Sequence, residues 1–148
     1  MRFLKFWLPV ILWMLVIFGA STDLGAPKNT SRFIGPILRW LIPDISDEAI
    51  ASVQLLVRKT AHAVEYAILC LLFWRARRKS IPGPPQPWSW REAGFGIFFS
   101  FLYAITDELH QHFVPTRQGS PWDVLLDTAG AAAGILVLWK MGRWLKRW

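Results

Sequence analysis

Five carboxylates, Glu65, Asp107, Glu108, Asp123 and Asp127, stand in or beside strongly apolar stretches of this chain, in company with Arg58, Lys59, His62, Tyr66, His110, Gln111 and Arg117. A carboxylate near a bilayer is unfavourable by a few kcal/mol, so such residues mark a functional site by default. One chemistry open to them is head-group binding. Lys59, Arg117 and Arg58 would hold phosphate or carboxylate, arginine in a bidentate manner, while Asp107, Asp123, Gln111, Tyr66 and His110 orient the cations and accept hydrogen bonds. A second is intramembrane hydrolysis or group transfer, with Glu108, Asp127, His62 and Glu65 as acids and bases, or with several acids gathered on a divalent ion. A third is a proton relay for transport, for which four helices are few unless the protein forms a homo-oligomer. Against these stands a structural reading in which Lys59 pairs with Glu65, and Arg117 with Asp107, Asp123 or Asp127, merely to lock helices. No paired-histidine helix signature is present, so no metal is assigned, and nothing names a cofactor. A covalent nucleophile is also missing: Cys70 lies deep in an apolar stretch and Ser120 is suited to capping a helix.

The elements that must position these groups are membrane helices. Hydrophobic residues make up 53% of the 148, tryptophan occurs ten times, and mean hydropathy is positive, a composition that disfavours a soluble domain. A spanning helix needs roughly 20 apolar residues. The sequence predicts one domain over 1–148, an all-α integral membrane protein with four spans at about 3–20, 60–76, 93–111 and 123–141. The first has a basic start, but Phe18 sits where a signal-peptide cleavage site wants a small residue, so it reads as an anchor.

Arg2, Lys5, Arg75, Arg77, Arg78, Lys79, Arg91, Lys140, Arg143, Lys146 and Arg147 fall on one side if both termini and the middle loop are cytoplasmic, as the positive-inside bias predicts. The net charge of +7 then faces an anionic inner leaflet, and nucleic acid is not needed as a partner. All acids except Glu92 lie towards the outer face, Asp23 at the end of the first helix among them. In the first outer loop, the apolar stretch from Phe33 to Ile42, broken at Pro36 and closed by Pro43, predicts a short interfacial helix. Ser46 before Asp47 and Glu48 reads as an N-cap, so the second spanning helix begins near Asp47 and projects outward. Pro82, Gly83, Pro84, Pro85 and Pro87 make the inner loop a linker. Ser120, Pro121 and Asp123 have the spacing of a capping box that starts the fourth helix.

Helical spacing collects the polar groups. Lys59, His62 and Tyr66 share one face, Asp107, Glu108 and Gln111 occupy one turn, and Asp123 and Asp127 are an i, i+4 pair continued by Gly130 and Gly134, which admit a close neighbour.

Three ordered blocks carry a resemblance: Arg58-Lys59-x-x-His62-x-x-Glu65-Tyr66-x-x-Leu69, then Asp107-Glu108-x-His110-Gln111-x-Phe113-Val114-Pro115-x-Arg117, then Asp123-Val124-x-x-Asp127-x-x-Gly130. From Arg58 to Gly134 the chain resembles the VanZ family of small bacterial membrane proteins, named for a member linked to low-level teicoplanin resistance. Ala63 departs from the aromatic usual in the family, and Thr106 from a common serine. The resemblance implies a multi-pass protein of the bacterial cytoplasmic membrane. With the polar cluster, it leads to the expectation of a cell-envelope protein that binds membrane lipids or a lipid-linked envelope precursor. Contribution to glycopeptide resistance is a further expectation, with turnover of such a substrate or proton-coupled transport as alternatives.

Overall fold

A computed structural model describes residues 2–22, 27–81, 87–117 and 119–148. Asp23 and the Pro82–Pro85 part of the linker lie outside them. Five helices follow one another: α1 (Arg2–Ser21), α2 (Pro27–Leu41), α3 (Asp47–Ser80), α4 (Trp90–His112) and α5 (Pro121–Trp144). Strands are absent among the described residues.

Local chemistry sets most boundaries. Ser46 caps α3, its hydroxyl accepting from the Ala49 N–H at 3.2 Å, with Asp47 and Glu48 in the first turn where they favour the helix dipole. From there α3 runs unbroken for 34 residues. Helix α4 starts at Trp90, earlier than apolarity alone suggests, because Ser89 accepts from the Glu92 N–H. Helix α2 runs through Pro36 instead of breaking there, and spans 15 residues. Proline removes one helical N–H and so frees one carbonyl. Much of α2 is exposed, so the freed group can be solvated. Phe33, Ile37, Trp40 and Leu41 form its exposed apolar face.

Helix α3 is the spine. It packs most extensively on α5, then on α4 and α1, while α2 touches only its N-terminal part. Small residues allow the close approaches. A Cβ added at Gly130 of α5 would lie 2.3 Å from the Ala63 carbonyl oxygen, and one at Gly96 of α4 would lie 2.9 Å from that of Cys70. The middle of α1 is tied on by hydrogen bonds that end on main-chain carbonyls. The Trp13 indole donates to Glu65 at 2.9 Å, and the Tyr103 hydroxyl donates to Met14 at 2.6 Å.

Burial is inverted relative to a protein folded in water. Leu8, Ile11, Leu12 and Leu15 of α1, Phe98, Leu102 and Ile105 of α4, and Leu136 and Val137 of α5 are exposed, whereas Ser100, Asp107, Glu108, Gln111 and Asp127 are buried. An apolar surface so extensive suits a lipid solvent. Two segments, Phe3–Ser21 and Pro121–Trp144, are long and apolar enough to cross a membrane. The other expected spans, 60–76 and 93–111, lie within α3 and α4, and α4 turns Glu92, Ser100, Asp107, Glu108 and Gln111 inward.

The helices alternate in direction, which sorts charge by end. At the basic end, Arg78 of α3 pairs with Glu92 of α4 at 2.9 Å and stacks over Trp74 and Trp148. Trp7 near the start of α1 donates to Ser80 at the end of α3. At the opposite, acidic end lie the C-termini of α1 and α4, the start of α5 and the middle of α3.

Candidate functional site

Each of three helices brings one potential ligand to the interior of the acidic end. His62 comes from α3, Glu108 from the last turns of α4, and Asp127 from the second turn of α5. One nitrogen or oxygen from each lies within 4.8 Å of those from the other two. Asp127 is wholly buried, and neither of its carboxylate oxygens has a hydrogen-bond donor. His62 Nδ1 is 3.7 Å from Asp127 Oδ1, too far for a hydrogen bond, and is likewise buried without a partner.

Glu108 is held from two sides. Its Oε2 accepts from the Ser120 N–H at 2.8 Å, and its Oε1 from Gln111 Nε2 at 3.2 Å, which also donates to Asp107 Oδ2 at 3.2 Å. The first contact replaces the expected capping box. Ser120 does cap α5, accepting from the Trp122 N–H, but its own N–H goes to Glu108, while the Asp123 carboxylate pairs with Lys59 of α3. Gly119 makes this possible: a Cβ there would sit 2.2 Å from the Glu108 carbonyl oxygen. Gly119 and Ser120 were legible as a helix start, whereas their contact with α4 required the fold.

The cations are also placed differently from the simplest reading of the sequence. Lys59 pairs with Asp123, not Glu65. The Arg117 guanidinium donates to the main-chain carbonyls of Ala20 and Thr22, binding the α4–α5 loop to the end of α1. This satisfies acceptors that a helix C-terminus leaves open. Burial first, and then the nearby Arg58, pull the Arg117 guanidinium below its ordinary pKa, while Asp107, Glu108 and Glu65 act in the other direction. It remains a cation at neutral pH. Arg58 stands one turn outward from His62, its Nε buried and without a partner.

The remaining expected site residues divide. Tyr66 and Asp107 lie inside the bundle, with the Tyr66 hydroxyl and Asp107 Oδ1 unpartnered. The Glu65 side chain is partly buried and feels the charges of His62, Asp107, Asp127 and Arg117. His110 is turned elsewhere: its ring packs on Phe18 of α1, with centroids 4.5 Å apart.

The family model for VanZ/LLP1 matches residues 6–145. The chain belongs to this family. The match extends well beyond the three motif blocks and takes in α1 and α2 as well as the site. No curated protein and no solved structure matches the chain. The VanZ/LLP1 assignment covers the helices that carry the site, but its chemistry must be read from the side chains themselves.

Beside the polar cluster lies an apolar groove between α3 and α5. It is lined by Ala63, Val64, Ala67 and Leu71 on one side and by Gly130, Gly134, Val137 and Met141 among others on the other. The groove begins next to His62 and one turn beyond Asp127.

Proposed function

We propose that this VanZ/LLP1 protein is a multi-pass protein of the bacterial cytoplasmic membrane, with four spans, both termini inside, and a site in the outer leaflet for an envelope lipid or lipid-linked precursor. The carrying observation is the adjacency of two environments. A buried polar cluster around Asp107, Glu108 and Asp127 stands at the head of an apolar groove between α3 and α5. A polar head and a hydrocarbon chain on one molecule match that pairing, since a pocket gives affinity through its apolar lining and orientation through a few polar groups. Arg58 and Lys59, outward of the groove on α3, and Arg117 on the α4–α5 loop supply positive charge for an anionic head. The basic end then faces the anionic inner leaflet, and α2 rests its apolar face on the outer surface. A contribution to glycopeptide tolerance follows if the bound lipid carries a cell-wall unit.

The reading is tested by native mass spectrometry of the protein released from its own membrane. Wild type should carry a defined lipid adduct. Ala133→Trp, which fills the groove from its exposed side without touching the polar cluster, should lose it. An unselective lipid spectrum, or a selective one indifferent to Ala133→Trp, would sink the proposal.

The approach of His62 to Asp127, with Glu108 beside them, favours a second reading in which the bound lipid is turned over by acid–base chemistry. Glu108→Gln separates the two. It should leave the adduct in place and abolish any product.

A further inference from the structure

We propose that His62, Glu108 and Asp127 form a binding site for a single divalent transition-metal ion of the zinc or manganese type.

The geometry comes first. Ligands about 2.0–2.1 Å from a tetrahedral ion stand about 3.3 Å apart. His62 Nδ1 and Asp127 Oδ1 are 3.7 Å apart, and all three donors fall within 4.8 Å of one another. No two of the donors need to close by more than about 1.5 Å to surround an ion. Each donor comes from a different helix, so the backbone fixes their relative positions. That also explains why no local sequence motif announces the site.

Hydrogen bonding comes second. Asp127 is completely buried, yet both oxygens lack donors, and His62 Nδ1 beside them lacks a partner. Buried polar atoms are nearly always satisfied, so an unpartnered carboxylate with an unpartnered imidazole nitrogen 3.7 Å from it implies something between them. Glu108 is already steadied by Ser120 and Gln111. A carboxylate oxygen that accepts one hydrogen bond retains a lone pair for a metal, and such outer contacts are how ligands are held in register.

Charge decides between the ion and the simpler alternative. A protonated His62 would answer only one of the two carboxylates, and from 3.7 Å. Of the neighbouring cations, Lys59 is paired with Asp123 and Arg117 with the end of α1, and Arg58, one turn outward, makes no ion pair with Glu108 or Asp127. A dication balances Glu108 and Asp127 together with His62 neutral, which removes the penalty of two uncompensated charges in a poorly solvated interior. One imidazole and two carboxylates suit a borderline ion better than calcium or magnesium, which prefer oxygen alone. Three protein ligands leave a position open, the arrangement that lets a metal polarise a bound oxygen. Arg58 lies one turn outward on the same face of α3 as His62.

The ion needs no lipid to bind, so this inference and the lipid reading fail separately. Chelator-treated protein in detergent, stripped of co-purified lipid, is titrated with zinc chloride and in parallel with manganese chloride by calorimetry, and metal content is read by mass spectrometry. Wild type should take up about one ion per chain of at least one metal, with Asp127→Asn and His62→Gln each weakening binding at least about tenfold. Arg91→Gln, exposed at the basic end, should bind as wild type. Circular dichroism and thermal unfolding identify any variant that fails to fold; if Asp127→Asn does, His62→Gln carries the test. No saturable uptake of either metal, or uptake unchanged in the folded trio variants, overturns the site. Retention of the lipid adduct by a metal-free variant would leave the lipid reading standing on its own.

Discussion

The two ends of the bundle treat buried charge in opposite ways. At the basic end, Arg78 and Glu92 meet at 2.9 Å, Arg78 also donates to the Pro87 carbonyl at 2.9 Å, and the guanidinium lies over two tryptophan rings. The orphans found there among the described residues are the neutral indole N–H groups of Trp74 and Trp88. At the acidic end, Asp107, Asp127, His62, Tyr66 and Arg58 all retain buried atoms without partners. A satisfied pair contributes to holding helices together; an unsatisfied cluster survives because something other than stability retains it. The basic end thus ties α3 to α4, whereas the acidic end keeps open the buried atoms on which the proposed ligand chemistry rests.

Substitutions can break that division or sharpen it. The largest effect belongs to the contact that presses α5 onto α3 just inside the acidic end. Gly130→Leu would drive a side chain into the Ala63 backbone of α3, and should lower stability by about 3 kcal/mol or more in detergent unfolding. A tolerated leucine would mean that α3 and α5 are not pressed together. Next, Glu92→Gln at the basic end leaves Arg78 without its counter-charge and should destabilise by about 2–3 kcal/mol. Arg117→Ala frees the carbonyls of Ala20 and Thr22, and denaturant titration should register a loss of about 1–2 kcal/mol.

The sharpest contrast is with Glu92→Gln. In metal-free protein, Asp127→Asn replaces a buried carboxyl that no donor satisfies, so it should leave stability within about 1 kcal/mol of wild type or raise it. Two similar amide substitutions would then differ in sign. Equal destabilisation by both would erase the distinction between the ends. The smallest effect is expected for Lys59→Met. Its pair with Asp123 is partly exposed on the lysine side, and double-mutant analysis should assign it under about 1 kcal/mol.

Much of the fold was legible because helix signals are local. Ser46 announces the start of α3, Ser120 and Pro121 that of α5, and the apolar runs place α1 and α5 to within a few residues. The beginning of α4 was equally readable from Ser89 and Glu92, a serine and an acid at capping-box spacing. Weighing apolarity alone set it three residues late. Pro36 misled in the other direction, since one missing N–H does not end a helix whose exposed side can be solvated.

The sequence by itself determined the helical class, the sorting of basic and acidic residues to opposite ends, and which polar residues share a helix face, because each depends on spacing along one chain. Only the tertiary structure decided the pairings: Lys59 with Asp123, Ser120 with Glu108, Arg117 with the end of α1, His110 against Phe18, and His62, Glu108 and Asp127 within ligand distance of one another. Periodicity says which way a side chain points from its own helix. What it meets there depends on how closely glycine lets the next helix approach, and on the rotation and register of that helix.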